Sequence, residues 1–141
     1  WRSRHIRTPL TVERSETQRY AGAEWQLTGL TRVPEGSANA ILILAEFEAA
    51  VDDPELLRKG PCQVALTDVQ GRCWQPAFLP GPAVRKARPD AADKPRCGAF
   101  PNAAKGMTIR MAATFVVPDS ASGLSLSVTI SGARPEYLVF R

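Results

Sequence analysis

At 141 residues, 44% hydrophobic and 23% charged, the chain suits one domain with a substantial core. No run of eighteen apolar residues occurs, and the longest apolar stretch, "AILILA" at Ala40–Ala45, is far too short for a membrane-spanning helix. The net charge is +4, but with 7% aromatic residues and no recognisable nucleic-acid motif, DNA and RNA are excluded as expected partners.

Much of the positive excess falls in two places. Residues 1–20 carry Arg2, Arg4, Arg7, Arg14 and Arg19 against Glu13 and Glu16, and read as a basic, solvated N-terminal arm. The chain begins "WRSRHIRTPL" without Met, so the expectation is that an upstream segment was removed, a membrane anchor being one form of it. The second basic place is "RKARPDAADKPR", with Arg85, Lys86, Arg88, Lys94 and Arg96 against Asp90 and Asp93. A single domain is expected over 21–141.

From residue 23 the pattern is that of strands. "AEWQLTGLTRV" offers Trp25 and Leu27, then Leu30, and the parity shift at Gly29 predicts a β-bulge. "AILILAEFEAAV" is apolar on both faces at first and then sets Glu46 and Glu48 opposite Phe47 and Ala49, a central strand whose second half has one wet face. "DDPELLRKG" predicts a turn or two of helix, capped by Asp52 or Asp53, with Pro54 at its first position and Gly60 as its stop. "CQVALTDV" alternates Cys62, Val64 and Leu66 against Gln63 and Thr67, and "VQGR" predicts a hairpin with the two-residue loop Gln70–Gly71 and Asp68 opposite Cys73. The connection from Leu79 to Lys105 has no periodicity, and loops of this length are usually functional.

The strand pattern then returns. Met107, Ile109, Met111, Ala113, Phe115 and Val117 face one way, with Thr108, Arg110, Ala112, Thr114 and Val116 on the other, up to Pro118. After "DSASG", Leu124, Leu126, Val128 and Ile130 alternate with Ser125, Ser127 and Thr129, and "EYLVF" closes the chain. About seven strands, short turns and almost no helix predict an all-β, antiparallel two-sheet sandwich with one long loop. A small barrel is the alternative.

Cys62, Cys73 and Cys97 are separated by ten and twenty-three residues, and His5 is the single histidine. Neither spacing is that of a zinc site, and a catalytic thiol would lack a nearby base. That favours a disulfide. In a regular hairpin, at about 3.3 Å per residue, Cys62 and Cys73 lie roughly 20 Å apart, beyond the reach of a bond that needs Cα atoms within roughly 7 Å. The returning strand meets the level of Cys62 near Leu79, where the long connection starts. Cys62–Cys97 is therefore the preferred bridge, which implies an oxidising compartment. Cys73–Cys97 and a fully reduced chain stay open as alternatives. Cys73 is then left over, as a small buried hydrophobe or a dimerising thiol.

Among the other candidates, Asp68 and Arg72 read as a salt bridge at the turn, and Trp74 with Phe78 as a sheet-face pair or an exposed ligand platform. Glu46 and Glu48 read as charges on a wet face rather than an acid/base pair. Met107 and Met111 with His5 are too scattered for copper, and "PNAAKG" lacks the pattern of a phosphate loop. No cofactor is expected.

The segments "LTDVQGRCWQP", "RCG" and "TFVVPDSASGLSLSVTI" resemble a family of bacterial extracytoplasmic immunoglobulin-like domains of unknown function, akin to the secreted mycobacterial immunoprotective antigen. The likeness is in the order of parts, from roughly Trp25 to Phe140: a strand ending in a D-x-x-G turn, a Trp, a long loop, Phe-x-Val-Pro and a Leu-x-Leu strand. It implies an immunoglobulin-like sandwich, exported and often anchored at its N-terminus, and supplies no catalytic residue. Cys73 departs from the pattern, which would more naturally carry a polar residue there. The expected function is a non-enzymatic, exported interaction or structural module with a protein partner, presenting the Leu79–Lys105 loop through Arg85, Lys86 and Arg88. The alternative is a small-molecule or lipid carrier, with its ligand between the sheets or under that loop. An enzyme ranks last, since no nucleophile–base pair is visible.

Overall fold

A computed structural model describes residues 8–13, 15–34, 39–77, 86, 89–92, 94–98 and 100–141. Among these the order of elements is β1 (Thr8–Val12), β2 (Thr17–Tyr20), β3 (Ala23–Pro34), β4 (Ala40–Val51), α1 (Pro54–Leu57), β5 (Cys62–Thr67), β6 (Cys73–Trp74), α2 (Pro89–Ala92), β7 (Thr108–Pro118), β8 (Ser125–Ile130), a 3-10 turn (Ser131–Ala133) and β9 (Glu136–Phe140). The larger sheet runs β1-β9-β8-β5-β6 and the smaller β2-β3-β4-β7. All ladders are antiparallel except β1 with β9, where Thr8 lies beside Glu136 and Val12 beside Phe140. This is the expected β-sandwich, with nine strands among the described residues rather than about seven.

The two extra strands lie where an arm was expected. Residues 8–12 and 17–20 are built into the two sheets, which corrects the boundary at residue 20. Residues this short and polar hold as strands because their partners β9 and β3 supply ready ladders, and because Val12 and Tyr20 are buried. Arg2, Arg4, His5, Arg7 and Arg14 lie outside the described residues.

Trp25, Phe47, Phe115 and Phe140 are fully buried between the sheets, together with Leu66, Leu126, Ile130 and Leu138. Each such side chain contributes on the order of 1.5–3 kcal/mol, so the strand alternation itself fixes which face turns inward. The bulge falls at Thr28. Leu27 pairs with Phe47, and the register resumes with Gly29 opposite Glu46, the Thr28 hydroxyl donating to the Glu46 carbonyl at 3.0 Å. In α1, the Asp53 carboxylate accepts the Glu55 N–H at 3.1 Å and Pro54 occupies the first turn, as expected.

β4 is buried on both faces for most of its length. Ile43, Ala45 and Phe47 join the main core, while Leu42 and Leu44 form a second cluster with Val33 and Ala112 on the outer face. Glu46 belongs to that outer face, and it is not wet: it is buried, and Lys94 of the long connection donates to it at 3.0 Å. Backbone from that connection and from the residues just before it caps the open edge of β7, for the Ala77 N–H donates to the Thr114 carbonyl at 2.7 Å and the Ala112 N–H to the Pro95 carbonyl at 3.1 Å. A free edge would otherwise invite pairing with another chain.

The hairpin register also differs by one residue. Thr67, not Asp68, lies opposite Cys73, so the loop spans 68–72. The reason is Asp68 itself: its carboxylate accepts the N–H groups of Gln70 at 3.1 Å and Arg72 at 2.9 Å, making it a loop residue rather than a ladder residue.

Candidate functional site

The bridge Cys62–Cys97 is present, with Cα atoms 5.2 Å apart. Cys62 opens β5 and is buried, and its N–H donates to the Gly98 carbonyl at 3.0 Å, so a covalent and a hydrogen bond fasten the end of the long connection to a core strand. Cys73 is a free, exposed thiol, which excludes the buried-hydrophobe reading. No helix among the described residues is long and apolar enough to cross a membrane.

Of the expected interaction loop, Lys86 is exposed, and Arg85 and Arg88 lie outside the described residues. Of the expected platform, Trp74 is half-buried against the core edge of β6, with the Arg72 guanidinium 5.5 Å from its ring centroid, and Phe78 lies outside the described residues. One face of that indole is therefore already taken by a cation.

Asp68 and Arg72 form the expected ion pair. The Asp68 side chain is wholly buried, and Arg72 reaches it through Nε at 2.8 Å and a terminal nitrogen at 2.7 Å. Burial by itself would raise the Asp68 pKa, but the amide and guanidinium of Arg72 and the amide of Gln70 outweigh it, and the carboxyl is held below its ordinary range.

A further site lies at the end of the sandwich where β3 leaves the bulge. There a cleft of about 630 Å³ is lined by Leu30 and Arg32 of β3, Ile43 of β4, Asp68 and Val69, Leu124 and Arg141. Two loops wall it, pressed so closely that a Cβ on Gly123, whose φ is +61°, would come within 2.9 Å of the Val69 Cβ. The Val69 N–H donates to the Ser122 carbonyl at 3.0 Å, and the Arg141 N–H to the Val12 carbonyl at 2.9 Å.

Arg32 is the unusual member. It lies opposite Ile43, a core residue that is 1% exposed, so it occupies an inward-facing position of β3. One terminal nitrogen donates to the Ala121 carbonyl at 2.8 Å. The parity shift at Gly29 carried the signal for this: a strand that turns Leu30 inward also turns Arg32 inward. Two smaller hollows, about 150 Å³ beside the disulfide and about 250 Å³ against Phe100 and Met107, lie under the end of the long connection.

Neither a family model nor a curated protein matches the chain. Among solved structures it is similar to an uncharacterised β-sandwich protein of Clostridium difficile 630, at 11% identity and a TM-score of 0.54 over 99% of this chain and 98% of that one. It is also similar to the yjhA protein of Bacillus subtilis, at 12% identity and a TM-score of 0.50 over 86% and 82%. At such identities these likenesses speak for the sandwich fold alone.

Proposed function

We propose that the protein is an exported, non-enzymatic interaction module, of the kind that its resemblance to the mycobacterial antigen-like domains implies. The observation that supports it is the Cys62–Cys97 bridge, because a structural disulfide forms and persists in oxidising compartments and is rare in the cytosol. The contact surface assigned to it is the 79–105 connection, through Arg85, Lys86 and Arg88. The chain on either side of Arg85–Arg88 is tied to the sandwich, at Ala77 before them and at Pro95 and Cys97 after them.

Export is tested by fractionating source cells under thiol-trapping conditions, with one free thiol per chain in the extracytoplasmic fraction as the expected result. A chain recovered with three free thiols from the cytosol overturns it. The contact surface is tested by exchanging Arg85, Lys86 and Arg88 for Ser. The melting temperature is expected to hold while partner capture falls, and equal capture by both proteins ends that assignment.

A second reading, a carrier of a small molecule, is favoured by the cleft beside Arg32. The space between the sheets is filled by side chains such as Trp25, Phe47 and Phe115, so on this reading the cargo would sit at the sandwich end rather than between the layers.

A further inference from the structure

Arg32 sits where the strand pattern calls for an apolar side chain. Its partner across the ladder is Ile43, and its neighbour on the same face is Leu30. The side chains of Arg32 and Arg141 are nonetheless exposed, so both guanidinium groups reach the water that fills the cleft. Among the described residues no carboxylate forms an ion pair with Arg32 or Arg141. The acidic residue lining the cleft, Asp68, is already committed to Arg72. The cleft is thus lined by two guanidinium groups over an apolar floor of Leu30, Ile43 and Leu124.

One terminal nitrogen of Arg32 is used on the Ala121 carbonyl, which fixes the guanidinium in place. A guanidinium carries five N–H donors in a planar fork, so the others remain for an acceptor, and the fork matches a carboxylate in shape and charge. We propose that the end cleft binds a small organic acid, its carboxylate on Arg32 and Arg141 and its short apolar chain over Leu30, Ile43 and Leu124. This rests on the carrier reading and specifies the chemistry of its cargo. It does not depend on export.

The volume, about 630 Å³, admits a chain of several carbons with water around the head. The walls are pre-formed, since the 68–72 loop is fixed by the buried Asp68 and packs against Gly123. Little ordering is then required on binding.

The test is a chemical-shift titration of the purified, oxidised protein with octanoate, octanol and octylamine, each below its aggregation limit. Octanoate is expected to bind saturably and to move the amides of Leu30, Arg32, Val69 and Leu124, about tenfold more tightly than octanol, the effect of one charge-assisted hydrogen bond. Octylamine is expected to leave those amides in place. Arg32→Met is expected to bring octanoate to the affinity of octanol. Should that variant fail to fold, Arg141→Ser serves in its place, and raising the salt concentration is expected to weaken octanoate without touching octanol. Equal binding of octanoate and octanol overturns the proposal while leaving an apolar carrier standing. No binding of any of the three, or shifts confined to other surfaces, overturns both.

Discussion

The hydroxyl of Tyr20 ties one sheet to the other. It accepts the Ile130 N–H at 2.8 Å and donates to the Glu136 carbonyl at 2.9 Å, although Tyr20 belongs to β2 and its partners to β8 and β9. The Tyr20 carbonyl in turn accepts the indole N–H of Trp25 at 2.8 Å. The contact is buried, so its loss would leave a donor and an acceptor stranded away from water. Tyr20→Phe is expected to cost about 1–3 kcal/mol, read as a lower urea midpoint at unchanged slope. A midpoint equal to that of the parent protein would show that the hydroxyl does not join the layers.

The disulfide closes a loop with a sequence separation of 35 residues. Chain-entropy arguments put its contribution near 4 kcal/mol, chiefly by restricting the unfolded chain. Reductant is therefore expected to lower the melting temperature markedly while the sandwich persists at low temperature. In the unreduced native protein one thiol, Cys73, should react with a water-soluble alkylating agent, because it is exposed. Labelling at Cys62 or Cys97 would show the bridge to be absent.

Asp68 gives the protein an acid-sensitive element. Its pKa is lowered in the fold from the ordinary 3.8, so the folded state resists protonation where the unfolded chain accepts it. The stabilisation is thus fully present above the ordinary carboxyl range and is lost as pH falls through the folded value. Asp68→Asn is expected to lower stability at neutral pH and to flatten the fall in stability on acidification below that range. A variant with the same acid limb as the parent would assign the sensitivity elsewhere.

Gly22 is held at φ +80°, and its carbonyl accepts the N–H groups of Asp52 at 2.9 Å and Asp53 at 2.8 Å. A Cβ at that position would come within 2.3 Å of the Asp53 carbonyl oxygen. Backbone cannot give way as a side-chain tip can, and the dihedral is unfavourable as well. Gly22→Ala is expected to cost about 2 kcal/mol or more, measured by thermal denaturation. By contrast, Gly71→Ala meets no neighbouring atom within 4 Å, so its cost is limited to its φ of +84°. The difference between the two variants isolates the clash.

Much of the fold was legible because its signals are local. The alternation from Thr108 to Pro118, the doubly apolar start of β4, the Asp53–Pro54 cap and the bulge beside Gly29 each depend on neighbours in sequence. What stayed hidden depends on distant partners. "TPLTV" at Thr8–Val12 carries too little apolar character to announce a strand, and it becomes one through a ladder with β9. Glu46 looks like a wet charge until Lys94, 48 positions later, is brought onto it. The cleft was hidden for the same reason: its walls come from β3, β4, two loops and the final residue. One of its members was nonetheless within reach, since the parity that turned Leu30 inward applies equally to Arg32.

The parallel ladder between β1 and β9 has a consequence for biogenesis. Thr8 meets Glu136 and Val12 meets Phe140, so a nascent chain cannot seat β1 in its sheet until translation has passed residue 136. Until then that flank of the larger sheet is unzipped, and β1 lacks its parallel neighbour.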